Sequence, residues 1–334
     1  MDNLTHTLVG LMLSRAGFSR VSPRATALLL MAANIPDLDS ISRFGGTVRY
    51  LEYHRGLSHA LVAIPALALM PVLLVRLFSR TKPPWRRAYL VSLAGTATHP
   101  LLDWTNVYGV RLLEPFSSAW LRADIFSVVD VWIWAALLLG VAGPAIARLV
   151  SSEIGARPGS GRGGAFFALG FLAIYGLFRY ALHERATATL DAHLYEGRPP
   201  LRVAAIPTPF SPFRWVGLVE GQNFYAVHRD WSLLEPFDPT AGRIYYKPEP
   251  RPEFERAAAT DAFRVFLAFS QYPLWRLTPL ADPEGGQLVE AMDLRFGAPP
   301  NERFVARAVL DASLRVLSAE FRFGAPPEYF LPKR

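Results

Sequence analysis

The 334-residue chain contains no cysteine. That excludes a disulfide framework, a thiolate zinc cluster and a cysteine nucleophile, so any metal ion must be held by nitrogen and oxygen ligands. Such a site suits zinc, manganese or iron. Charge is also scarce: 19% of residues are Asp, Glu, Lys or Arg against 51% hydrophobic, a balance too apolar for an ordinary soluble protein. The mean hydropathy is only slightly positive, which in turn excludes a wholly embedded chain. There is no Gly-x-Ser-x-Gly elbow to indicate a serine hydrolase, no internal repeat and no heptad run. The Gly-rich tract Gly155–Gly164 lacks the lysine of a phosphate-binding loop and reads as a linker. The N-terminus has neither a basic n-region nor a small-residue cleavage site, so a cleaved signal peptide is not expected.

What the sequence does contain is long apolar runs. Residues 60–78, 88–103, 125–147 and 164–182 approach the roughly 20 residues needed to cross the hydrocarbon core. The shorter stretches Asn3–Ala16 and Ala25–Pro36 predict further helices, each long enough only for a partial crossing unless the bilayer thins. The expectation over residues 1–183 is a mainly α membrane domain, a helical bundle of about four to six membrane segments. Much of the excess positive charge lies beside these runs, in Arg15, Arg20 and Arg24, in Arg80, Lys82, Arg86 and Arg87, and in Arg148, Arg157 and Arg162. Orientation in a membrane explains that placement more simply than a nucleic-acid partner, and no such partner is expected. By the positive-inside rule the three clusters are cytoplasmic. Alternating threading then brings His6, the Pro36–Asp39 turn, His54, His59, the end of 88–103 and Asp124–Asp130 to the opposite, extracytoplasmic side.

Four of the seven histidines fall in the first hundred residues, interleaved with Asp37, Asp39 and Asp103. Ionisable groups at bilayer depth are costly unless they pair, line a wet cavity or bind an ion, so their convergence points to a metal site. His99-Pro-Leu-Leu-Asp103 places an imidazole and a carboxylate one helical turn apart, with Pro100 suited to a first turn. The competing reading is a helix cap and a solvated acid. His54-Arg-Gly-Leu-Ser-His59 has two imidazoles around a turn-forming glycine, with Arg55 available to an anion. Asn34-Ile-Pro-Asp37-Leu-Asp39 breaks its helix at the proline and presents two carboxylates just beyond, an arrangement a solvated turn would also produce. His6 follows Asp2 and Asn3, either of which could simply cap a helix. Asp124 and Asp130 flank the start of the 125–147 run, where one could bind metal and the other face water. His183, His193 and His228 have no comparable partners and read as surface or structural residues.

The order MDNLTH, NIPDLD, HRGLSH, HPLLD and GVRLLEPFSSAWLRADIFSVVD resembles the YdjM-type inner-membrane metal-dependent hydrolases, a family distantly similar to zinc-dependent phospholipase C and the single-strand-specific zinc nucleases. The resemblance covers about residues 1–135. It implies a helical, metal-dependent phosphoesterase core in which His6, Asp39, His59, His99 and Asp103 correspond to zinc ligands. The soluble enzymes carry a further His and a His-xxx-Glu pair that this chain lacks, leaving Asp124 and Asp130 as the nearby substitutes and one or two ions as the expectation.

Residues 184–334 are different material. Pro199-Pro200 and Pro207-Thr-Pro-Phe-Ser-Pro212 read as an extended, linker-like entry. Strands are expected at Arg214–Glu220, Phe224–Arg229, Arg243–Lys247, Gln287–Phe296, Arg303–Asp311 and Leu314–Phe323, with one amphipathic helix at Phe254–Gln271. This predicts a small, mostly antiparallel α+β domain, placed outside by the same topology. The expected activity is hydrolysis of a phosphoester, on a membrane lipid or lipid-linked phosphate. His59, His99 and Asp103 would hold a first divalent ion, zinc foremost, while His6, His54 and Asp39 contribute to it or to a second. Asp37 or Asp39 would act as base, and Arg55 as phosphate clamp. The competing expectation is a non-enzymatic metal-binding sensor or transporter. A transporter should place its charges near the midplane of several helices, whereas here they lie at helix ends.

Overall fold

The computed structural model describes residues 1–153 and 160–324. Residues 154–159 of the expected glycine-rich linker, Arg157 among them, lie outside the described residues. The chain forms two compact units. One comprises Met1–Ser40, the described part of His54–Arg185, and Pro207–Arg214; the other comprises Ile41–Tyr53, Ala186–Ile206 and the described residues from Trp215 onward.

The first unit is helical. α1 (Asn3–Ala16) matches the expected stretch, and its first turn is capped by Asp2, whose carboxylate accepts from the Thr5 N–H at 3.0 Å. α2 (Ala25–Ala32) stops short of Pro36, which instead opens a ten-residue 3-10 helix, Pro36–Gly45. α3 (Thr47–Tyr53) follows and belongs to the second unit. Residues 60–78 do not form one helix. Short 3-10 turns at Leu57–His59 and Leu61–Ala63 lead into α4 (Ile64–Leu67) and α5 (Leu69–Phe78), with Pro65 and Pro71 each in a first turn, where a missing N–H costs nothing. α6 (Trp85–Trp104) runs through Pro100, so that proline is interior and not initial as expected. α7 (Val131–Glu153) begins six residues later than the apolar run, because Asp130 caps it by accepting from Trp132 N and Ile133 N at 3.1 and 3.3 Å. α8 (Arg162–Asp191) extends well past residue 182.

Among the described residues, three segments are long and apolar enough to cross a membrane: Leu61–Phe78, Val131–Ser151 and Arg162–Asp191. α6 has the length, but it carries Arg86, Arg87, His99 and Asp103 and does not join them. Two glycines allow the short helices to close around the ligand-bearing turns. A Cβ on Gly10 would lie 2.8 Å from the Leu29 carbonyl oxygen, and one on Gly95 would lie 2.9 Å from the Ala32 Cβ. Both α1 and α6 therefore approach α2 more closely than any side-chain-bearing residue would permit.

The proline-rich entry is docked onto the helical unit through its carbonyls. Pro207 O accepts from Ser127 Oγ, Pro209 O from Val131 N, Phe210 O from Trp132 Nε1, and Pro212 O from Arg179 Nη1. Prolines lack donors but keep acceptors, so such a segment is satisfied only if donors come to it.

The second unit contains two four-stranded sheets with strands in sequence order: β1 (Arg202–Pro207) through β2 (Arg214–Glu220) and β3 (Phe224–Ser232) to β4 (Arg243–Tyr246), and β5 (Pro273–Pro279) through β6 (Gln287–Asp293) and β7 (Phe304–Leu310) to β8 (Val316–Phe323). The described pairings β3–β4, β5–β6, β6–β7 and β7–β8 are antiparallel. β1 and β5 were not anticipated, both being bounded by proline. The expected single helix is two, α9 (Pro252–Ala258) and α10 (Asp261–Phe269), because Thr260 accepts from Phe263 N and starts a new helix.

Candidate metal centre

The ends of α1, α2 and α6 and the His54–His59 turn meet at one buried point. His6, His59, His99 and Asp103 have no exposed surface. Four atoms converge there: His59 Nε2, His99 Nε2, Asp37 Oδ1 and Asp103 Oδ2. His59 Nε2 lies 3.1 Å from His99 Nε2, 3.5 Å from Asp37 Oδ1 and 3.3 Å from Asp103 Oδ2. His99 Nε2 lies 3.4 Å from each of the two carboxylate oxygens. Ligands about 2.0–2.1 Å from a tetrahedral zinc ion are separated from one another by about 3.3–3.4 Å, so these edges are those of a zinc-sized tetrahedron.

Each of the four side chains is anchored by its other polar atom. His99 Nδ1 donates to the Ala33 carbonyl at 2.6 Å, which leaves Nε2 as the lone-pair nitrogen of the neutral ring. Ser58 Oγ donates its one hydrogen to Asp39 Oδ2 at 2.5 Å, so the 2.9 Å contact between Ser58 Oγ and His59 Nδ1 has the imidazole as donor. His59 Nε2 is then also a lone pair. Asp37 Oδ2 accepts from Asn3 Nδ2 at 3.0 Å. Asp103 Oδ1 accepts from Arg55 Nη2 at 2.9 Å, is paired with the Met1 amine, and lies 3.4 Å from Asn106 Nδ2. The inward atoms Asp37 Oδ1 and Asp103 Oδ2 are buried with no hydrogen-bond donor among the described residues. Two lone pairs and two carboxylate oxygens thus face a common centre, an arrangement that is repulsive without a cation and is satisfied by one.

A second group adjoins the first through Asp37. Ligand atoms of Asp37, Asp39 and His54 lie within 4.8 Å of one another, as do those of Asp37, His59, His99 and Asp103. Their side chains are 10–12% exposed, so this is the accessible edge of the cluster. Asp39 is crowded with donors: His54 Nδ1 at 2.7 Å on one oxygen, and Arg55 N at 3.0 Å and Ser58 Oγ on the other. Burial alone would raise the Asp39 carboxyl, but the facing imidazoles of His54 and His59 outweigh it and hold Asp39 well below the usual carboxylate range. Burial lowers His54 below the ordinary imidazole value despite its bond to Asp39. Asp39 is thus charged and His54 neutral near pH 7, the forms that bind a metal.

The remaining expected residues are placed as follows. His6 stacks on His99, with ring centroids 3.7 Å apart, and its Nε2 is 3.4 Å from Asp103 Oδ1; neither of its nitrogens has a hydrogen-bond partner among the described residues. Arg55 is buried, with hydrogen bonds to Asn106 Oδ1 and the Gly109 and Met1 carbonyls, and with the Tyr108 ring 4.7 Å away. Asp124 pairs with Arg122, and Asp130 caps α7 and accepts from Tyr175 at 3.5 Å; neither belongs to the two close groups. Residues that sequence reasoning passed over are Ser58, Asn3 and Asn106, together with the Ala33 carbonyl. Only Ser58 carried a signal, as a hydroxyl next to His59.

No solved structure matches the chain. It is similar to a Bacillus subtilis (strain 168) protein named "Uncharacterized protein YfhP", 24% identical over 334 residues that cover 96% of this chain and 94% of the relative. The family model described as "YdjM inner membrane protein" matches residues 1–186, a stretch holding every member of the His/Asp cluster, and the chain belongs to that family.

Proposed function

We propose that this protein is a membrane-bound, metal-dependent phosphoester hydrolase. The observation that carries the reading is the set of four inward atoms with tetrahedral spacing, two of them carboxylate oxygens without donors. His59, His99, Asp37 and Asp103 would hold one divalent ion, with zinc the best match to a nitrogen and oxygen tetrahedron. Asp37, shared with Asp39 and His54, would help hold a second at the accessible edge. A bound ion of this kind supplies Lewis acidity to a phosphoryl oxygen and to water.

The chain's own residues set the geometry. Ser58 and the Ala33 carbonyl fix the tautomers of His59 and His99, and Asn3 and Asn106 hold the outer carboxylate oxygens. In this reading Asp37 is a shared ligand instead of a separate base, and Arg55 steadies Asp103 instead of gripping phosphate. The basic clusters around Arg15–Arg24 and Arg80–Arg87 support an extracytoplasmic site acting on a lipid or lipid-linked phosphate. Single cysteines at Arg86 and Arg243 test the orientation and should label from opposite sides.

One feature favours the second reading, a metal-binding sensor or transporter: four protein donors close a tetrahedron, as in structural zinc sites. Turnover separates the two. Element-resolved analysis of detergent-purified protein should find one or two metal equivalents, and chelator should abolish phosphoester hydrolysis. Retained metal with no turnover on any phosphoester would leave the sensor, and absence of bound metal after zinc loading would overturn both.

A further inference from the structure

The helix that delivers Asp37 and Asp39 has an apolar side that none of the described residues covers. A 3-10 helix has three residues per turn, so positions i, i+3 and i+6 eclipse one another. Over Pro36–Gly45 this period sorts the side chains cleanly. Leu38, Ile41 and Phe44 form one row, 56%, 70% and 93% exposed. Asp37, Ser40 and Arg43 form a second, and Asp39 and Ser42 lie on a third. At about 2 Å of rise per residue the apolar row is about 12 Å long. Runs of 3-10 helix beyond three or four residues are uncommon, and this one keeps two acids and three large apolar side chains on separate sides.

We propose that the Leu38–Ile41–Phe44 row seats in the bilayer and that the metal centre receives an amphiphile, a phosphoester carrying an acyl or isoprenoid chain, past this helix. The substrate part of the proposal rests on the hydrolase reading above. Three observations select lipid as the occupant. The chain belongs to an inner-membrane family, and its described residues include three segments able to span. The row is made of leucine, isoleucine and phenylalanine, apolar side chains of the kind that helices lying in the membrane interface bury in the acyl boundary. The only partly exposed members of the cluster are Asp37, Asp39 and His54, so the accessible edge of the site is on this same helix and not behind the fully buried His59, His99 and Asp103. An amphiphile held at the interface would present its phosphate to the acids while its chain stays against the leucine, isoleucine and phenylalanine.

The chain's lack of cysteine makes a direct test simple. Single variants Ser40→Cys, Ile41→Cys, Arg43→Cys and Phe44→Cys, labelled with an environment-sensitive fluorophore and reconstituted in nanodiscs, are titrated with brominated-chain phosphatidylcholine. Strong quenching at 41 and 44 with weak quenching at 40 and 43 is expected. Equal quenching at all four, or none, overturns the seating, and quenching replaced by label–label contact that vanishes on protein dilution would assign the row to a second copy. The substrate arm uses Ile41→Ser/Phe44→Ser, which alters no cluster residue. Its KM for vesicle-borne phosphatidic acid should rise about tenfold or more, while hydrolysis of a short-chain soluble phosphoester is unchanged. Equal loss on both substrates overturns lipid entry. No turnover of either by the wild type overturns the hydrolase reading and the amphiphile with it, whereas the quenching pattern still decides the seating.

Discussion

Asp103 and Asp130 are both buried acids at the end of an apolar helix, and composition alone cannot tell them apart. Their surroundings can. Both oxygens of Asp130 have donors, the backbone of α7 on one and the Tyr175 hydroxyl on the other. Asp103 keeps one oxygen anchored and turns the other, without a donor, toward two imidazole lone pairs and a second acid. A buried carboxylate whose acceptors are all filled is a structural cap, whereas one half-filled and facing other acceptors is a ligand in waiting.

The largest test of that contrast is metal retention. Asp103→Asn and His99→Ala should each lower zinc affinity by more than about 100-fold, the upper end of the losses seen for groups that merely support ligands. Asp124→Asn should leave metal content at the wild-type value. Equilibrium dialysis against a zinc indicator, with membrane fractionation to verify insertion, reads both. Equal metal loss in the Asp124 variant would end the distinction.

The next effect is on stability and lies on the capping side of the comparison. Arg179, fully buried in α8, donates to the Ile125 carbonyl at 3.0 Å and to Pro212 O, and so ties both the run before α7 and the proline-rich strap to a helix. Leaving a buried carbonyl without its donor costs about 1–3 kcal/mol, and here there are two. Arg179→Met should therefore lower the melting temperature in detergent markedly, with metal stoichiometry intact in the folded fraction.

Donorless atoms alone do not make a site, and His228 shows why. Among the described residues its Nε2 is buried without a partner, yet the ring lies among Tyr195 and Phe237 and belongs to neither His/Asp group. Burial lowers its pKa to about 4, below the ordinary 6.5, so folding favours the neutral ring. The resulting stability is complete above about pH 6.5 and is lost as pH falls toward 4, up to about 3 kcal/mol in all. Denaturant unfolding at pH 7 and pH 4.5 should show a smaller acid loss in His228→Gln than in the wild type. An identical pH dependence in the two would remove His228 as the titrating group.

The same contrast explains what could be read before any coordinates. Periodicity and apolar length located α1, α6, α7 and α8, because each must bury or immerse a hydrophobic face whatever its neighbours do. Proline misled in both directions. The sequence suits Pro100 to a first turn, yet it lies inside α6, and Pro207–Pro212 reads as a linker-like entry, yet it is held by donors from residues 127–179, which no local pattern reveals. At the site, residue type nominated the histidines and acids. Asp130 is set apart by donors on both oxygens, whereas Asp124, whose Oδ1 is also buried without a donor among the described residues, is set apart from Asp37 and Asp103 by lying outside both His/Asp groups; distant donors such as Asn3 for Asp37 and Arg55 for Asp103 hold the ligands in those groups.

The smallest predicted effect isolates one anchor. Ser58 Oγ accepts from His59 Nδ1 and passes its own hydrogen to Asp39, so it links an inward ligand to a carboxylate at the accessible edge. Ser58→Ala removes the acceptor that keeps the His59 proton on Nδ1. Asp39 Oδ2, at 3.3 Å from that nitrogen, can take over only in part. Loss of such an outer partner lowers metal affinity by about tenfold, toward the mild end of the usual range. Ser58→Thr keeps the hydroxyl and should restore most of it. A purely structural serine would show the reverse signature, with the alanine variant losing melting temperature in the zinc-free and zinc-loaded protein alike. An anchoring serine instead shrinks the gap between those two melting temperatures, and that gap is the quantity to measure.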